Sequence, residues 1–157
     1  MSWQGTVVSI QIGEISQPLN YVESVEAQAG VGLVGDRYGI GAGTFSKKKG
    51  PDREITLIEQ EALDALEREY QIRVTPAEAR RNVTTQGVPL NHLVGKEFKV
   101  GDLVLRGIRL CEPCGHLETL LAKGKVQEGL RHRGGLRAQI VKGGVLKKGD
   151  VVSESSH

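Results

Sequence analysis

Cys111 and Cys114, separated by Glu112 and Pro113 and followed by His116, stand where a strand-like run ending at Leu110 gives way to a short helix-like one. A thiol ionises near neutral pH when a helix N-terminus or neighbouring cations stabilise the thiolate. Cys114 has His116 two places on and the basic group Arg131, His132, Arg133 and Arg137 beyond it. The expectation is that Cys114 is a functional sulfur.

The pair admits four chemistries. C-x-P-C ahead of a helix is the form of a thioredoxin-like dithiol, but that architecture adds a cis-proline facing the thiols, and no proline follows Pro113. A closed zinc site needs four ligands, and only His116 and His132 are at hand, at spacings unlike a finger or ribbon. Both cysteines could instead be buried small hydrophobes, a role open to Cys111. In the fourth reading Cys114 is an exposed thiolate that bonds a soft metal centre or carries sulfur as a persulfide.

Two further stretches suit an anion. Arg80-Arg81-Asn82-Val83-Thr84-Thr85 places two guanidiniums before an Asn and two hydroxyls, and arginine forks bind phosphate or carboxylate in bidentate fashion. The alternative is surface arginines with Asn82 in a turn. Between Leu121 and Lys148 eight Lys and Arg face one acid, Glu128, a local field that draws anions. With no aromatic residue there to stack a base, a small phosphorylated or pterin-type ligand fits better than single-stranded nucleic acid. Lys47, Lys48 and Lys49 read as a solvated loop, with an anion-gripping lid as the alternative.

The elements that must position these residues are mostly strands. Gly5–Ile12, Tyr21–Ala27 and Arg53–Ile58 are β-branched or alternating. Glu59–Tyr70 carries Ala62, Leu63, Leu66 and Tyr70 on one helical face. Thr75-Pro-Ala-Glu78 has the pattern of a capping box. Gly30-x-Gly-x-x-Gly35 matches a dinucleotide loop letter for letter, but the glycine-rich segment after it cannot propagate a helix, so these read as turn glycines. Val94–Leu105 and Gly144–Val152 share one design, strand, Gly-Asp turn, strand, and so predict two hairpins of a closed or partly closed antiparallel barrel.

At 157 residues with 21 glycines, the chain predicts a single mostly β domain with short helices over 1–157. A net charge of +2, few aromatics, two close cysteines, no signal-like start and no long apolar run predict a cytoplasmic protein that binds neither nucleic acid nor membrane.

In this order the motifs resemble a MOSC domain, the family named for the C-terminal domain of molybdenum cofactor sulfurases. Gly35-Asp36-Arg37-Tyr38 resembles its early Gly-Asp-basic-aromatic element, and Ala79–Gly87 its Arg-Asn-(Ile/Val)-Thr-Thr-x-Gly signature. Pro113-Cys114 falls at its characteristic cysteine, and Gly135–Val141 with Gly149-Asp150 resembles its closing segment. The resemblance implies a MOSC-like β-barrel that binds the molybdenum cofactor (molybdopterin), with Cys114 as metal ligand or sulfur carrier. Arg81 and Asn82 would line the cofactor site and Arg137 reach its anionic end, with Thr84, His116 and Arg37 completing the candidate set. It implies sulfur transfer, or molybdenum-dependent reduction of N-hydroxylated compounds with an external donor; a metal-free persulfide carrier is the alternative. The 157 residues contain neither a desulfurase nor an electron-donor domain. The expected partner is therefore a pyridoxal-phosphate-dependent cysteine desulfurase or an electron-donor protein.

Overall fold

The computed structural model describes residues 3–13, 18–36, 50, 53–112 and 125–155. Seven strands close into a barrel: β1 (Gln4–Ile12), β5 (Ile55–Glu59), β6 (Val83–Gln86), β7 (Glu97–Val100), β8 (Leu103–Leu110), β9 (Leu136–Lys142) and β11 (Val151–Glu154). Their order is β11-β7-β8-β9-β5-β6-β1, and β1 pairs back onto β11. Closure leaves those seven strands without a free edge. Neighbours are antiparallel except β5 and β6, whose parallel pairing needs a crossover; α1 (Gln60–Tyr70) and the single turn α2 (Pro76–Ala79) supply it.

Alternation places the barrel core. Leu136, Ala138 and Ile140 of β9 are buried while Arg137 and Gln139 between them are not fully so. The inward residues join Ile10, Leu57, Val83, Phe98, Leu105 and Val152 in one cluster. β5 is buried on both faces, as expected of a strand covered on both sides: Ile55 and Leu57 face the barrel core, and Ile58 packs under α1 with Leu63 and Leu66. The capping box at Thr75 and Glu78 forms with both of its bonds.

Two expectations change. Tyr21–Ala27 breaks at Glu23 into β2 (Asn20–Val22), which folds back on β1, and β3 (Ser24–Gln28), which belongs to a second sheet. Val94–Leu105 contains the β7–β8 hairpin. Its sequence twin does not make one. β10 (Gly144–Lys147) pairs with β3 beside β4 (Gly32–Leu33), whereas β11 inserts between β1 and β7. The turn between them is held in passing, as the Val7 amide donates to the Asp150 carbonyl and the Gly149 amide to the Val7 carbonyl. The glycines of the G-x-G-x-x-G match all adopt positive φ, serving the β3–β4 turn and its exit.

Where β5 meets α1, burial and the nearby Glu61 charge push the Glu59 carboxyl up, partly offset by the Leu90 amide. A carboxyl raised in the folded state leaves stability intact below its unfolded pKa and removes it as pH rises through the folded value. Glu59→Gln is therefore expected to raise the urea midpoint at pH 7 and leave it unchanged in acid. An equal effect at both pH values would disprove the assignment.

Candidate functional site

At one end of the barrel the chain leaves β8 at Cys111 and returns to β9 through α3 (Val126–Gly129) and Gly134-Gly135. Cys111 is buried, its thiol free, and its amide donates to the Gly135 carbonyl (2.7 Å). Gly135 has φ +117°, and a Cβ there would lie 2.2 Å from the Leu57 carbonyl oxygen, so only glycine lets β9 start this close to β5. Cys114, His116, Arg37, Lys47–Lys49 and the helix-like run after Cys114 lie outside the described residues.

Arg81 spans that junction from the other side. Its Nε donates to the Gly134 carbonyl (2.9 Å), one terminal nitrogen to Ala79 (3.1 Å) and the other toward Cys111 (3.5 Å). One nearly buried guanidinium thus ties the end of α2 to both roots of the segment that carries Cys114. Its fork geometry makes this possible; an ammonium is a point charge.

Asn82 behaves as a stitch between strands. Its Oδ1 accepts from the Thr56 amide (3.0 Å) and lies 3.2 Å from the Thr56 hydroxyl, and its Nδ2 donates to the Gln11 carbonyl (3.2 Å). Its own amide donates to Thr56 and its carbonyl accepts from the Gln11 amide. The side chain continues the ladder where β6 has not yet begun. Thr84, two residues on, is buried against Gln11. The Gln11 amide is oriented with its nitrogen toward the Thr84 hydroxyl (3.1 Å) and the Arg81 carbonyl (3.0 Å), which satisfies both.

Arg137 stands in a different setting. In the β8–β9–β5 ladder it lies directly opposite Arg109 on one side and Thr56 on the other. Register shifts in β8 between Gly107 and Arg109 put Arg109 on the same face as Arg106, outside the barrel. Like charges directly opposed across a ladder repel, an arrangement suited to a multiply charged anion. Arg109 was not among the residues picked from the sequence. The signal that exposes it is Gly107, where a Cβ would lie 2.1 Å from the Leu93 carbonyl oxygen; a glycine inside a strand often marks a bulge.

The basic run beyond Cys114 is divided. Arg133 donates to the Gly129 carbonyl and pairs with Glu69 of α1 at 3.0 Å. Arg133, together with Arg68, holds the Glu69 carboxyl below the usual range. His132 pairs with Glu112 (3.2 Å), which also accepts its amide (2.8 Å). Arg133 thus points to the helix layer, whereas Arg137 lies across the ladder from Thr56, the residue that Asn82 binds.

Among the described residues no group of three or more His, Cys, Asp or Glu is placed to hold a metal ion, and no helix is long and apolar enough to cross a membrane. The MOSC domain family model matches residues 44–153. The chain belongs to the MOSC domain family. The barrel is similar to the YUAD protein of Bacillus subtilis, with TM-score 0.80 and 15% identity over 99% of both chains. It is also similar to YiiM of Geobacillus stearothermophilus (TM-score 0.74, 16% identity, 96% of this chain and 75% of that one). For YiiM of Escherichia coli the values are 0.68, 18%, 100% and 71%. At such identities the likeness is one of fold. No curated protein matches the sequence. In this MOSC domain the signature Arg81-Asn82-Val83-Thr84 lies where β6 meets β1, β5 and the roots of the cysteine segment.

Proposed function

We propose that this MOSC protein binds the molybdenum cofactor, with Arg109 and Arg137 gripping its anionic portion and Cys114 supplying the sulfur that bonds the metal. The observation that carries this reading is the Arg109–Arg137 cross-strand pair, set beside the junction from which the Cys114 segment departs. Two planar forks on one face suit the oxygens of a phosphate. When bound, the cofactor supplies a redox-active metal with affinity for soft sulfur ligands. The chain's own residues do the rest: Arg81 and Asn82 hold the floor rigid, and Cys111, sealed by burial, anchors the segment. Sulfur or electrons come from a partner, a cysteine desulfurase or an electron-donor protein.

The test is purification from a host that makes the cofactor, followed by measurement of molybdenum and of the fluorescent pterin oxidation product. Cys114→Ser is expected to lose molybdenum. Arg109→Glu or Arg137→Ala should lower pterin occupancy about tenfold, equivalent to ~1.4 kcal/mol of binding. Wild-type protein carrying neither metal nor pterin would refute the proposal. A gain of roughly 32 Da on Cys114 after incubation with a desulfurase, without metal, would assign a persulfide carrier instead.

A further inference from the structure

A groove of about 840 Å3 lies on the outer face of β7 and β8, walled by the segment 89–96 and by the residues that open β1 and close β11. Its volume falls within the ~300–1,000 Å3 typical of small-molecule sites. Trp3, Pro89 and Leu93 line it with apolar surface, and Trp3 packs partly against the barrel core. The groove is distinct from the Arg109–Arg137 row: Arg106, which lines it, precedes Arg109 by three residues, about 10 Å along a strand.

Its charges are arranged in two ways. Arg106 and Glu97 neutralise each other across the β7–β8 pair at 2.9 Å. The side chains of Lys96 and Glu154, which also line the groove, make no hydrogen bond or ion pair among the described residues. One cation and one anion thus remain available beside an indole face. An aromatic ring stacks on the indole in an offset or edge-on manner, a carboxylate is held by an ammonium, and an amino group donates to a carboxylate.

We infer that this groove binds a flat aromatic molecule carrying both a carboxylate and an amino group, with the ring against Trp3, the carboxylate on Lys96 and the amine on Glu154. A plain hydrocarbon would leave both charges unmatched, and a dianion would place its second charge against Glu154. The binding needs no cofactor, so its test is independent of the reading above.

Trp3 is the only tryptophan, so a single indole N–H resonance in a nitrogen-15 correlation spectrum of the full chain reports the site. Titration with 4-aminobenzoate is expected to displace that resonance saturably, and with at least tenfold higher affinity than either benzoate or aniline. Lys96→Ala and Glu154→Gln, both exposed changes that leave the fold intact by circular dichroism, should each weaken binding about tenfold, the equivalent of ~1.4 kcal/mol. No saturable displacement up to about 10 mM, a weak limit for a specific site, overturns the inference. So does equal affinity for benzoate or aniline, or binding that either variant leaves intact.

Discussion

Arg81→Ala is expected to lower the unfolding free energy by about 3–5 kcal/mol, because it removes at least two charge-assisted bonds and leaves the Gly134 and Ala79 carbonyls without their donors. The Cys111 contact, at 3.5 Å, adds little. The loss is local before it is global. With the clamp gone, the pairing of the Cys111 amide with the Gly135 carbonyl should open more often, and hydrogen exchange at Cys111 should accelerate well beyond that of the β7–β8 hairpin. Arg81→Lys recovers less than half of the lost stability, since one ammonium cannot reach carbonyls on three segments at fork geometry. Urea unfolding of the three proteins checks the ranking. A destabilisation below about 1 kcal/mol for the alanine variant, within the range of a single ordinary hydrogen bond, would show that the clamp is not structural.

Asn82→Asp should cost a comparable amount, and in a pH-dependent way. The Thr56 amide keeps its acceptor, but the Gln11 carbonyl loses the donor at 3.2 Å, and a carboxylate is buried beside that carbonyl. Burial raises a carboxyl pKa, so the penalty is absent below the unfolded value near 4 and grows as pH rises through the folded one. Asn82→Ala removes both halves of the stitch and should lose about 2–4 kcal/mol at every pH, with two buried groups unsatisfied. Unfolding at acid and neutral pH separates the two variants. If Asn82→Asp were no worse at pH 7 than in acid, the stitch would have to be abandoned.

These two variants bear on how the family signature works. An Arg-Asn pair beside two threonines invites assignment to the ligand, and Asn82 and Thr84 are fully buried with their polar groups engaged by β1 and β5. Arg81 faces backbone carbonyls rather than an open surface. The three side chains hold the junction of β1, β5 and β6 together, while Arg109 and Arg137 stand on the outer face.

What could be read directly from the residues was local. The capping box at Thr75 and Glu78, the apolar face of α1 and the turn glycines at 30, 32 and 35 each follow from interactions within a few residues, so their energetics are written in neighbouring letters. The mostly β barrel followed from many short strands and Gly-Asp turns.

Partners distant in the chain were decided by tertiary structure. Gly144–Val152 looks like a second hairpin, yet β10 pairs with β3, where Leu146 is fully buried, and β11 joins β7 to β1 and closes the barrel. Barrel closure offsets more unsatisfied backbone than one isolated two-stranded hairpin, so the longer-range pairing wins. Likewise a bulge after Gly107 reverses which face the next residues occupy, and so sets Arg109 opposite Arg137. Glu69 of α1 pairs with Arg133, a partner 64 residues away in the chain. A sequence lists charges in order; only the fold, by fixing register and burial, determines which of them meet.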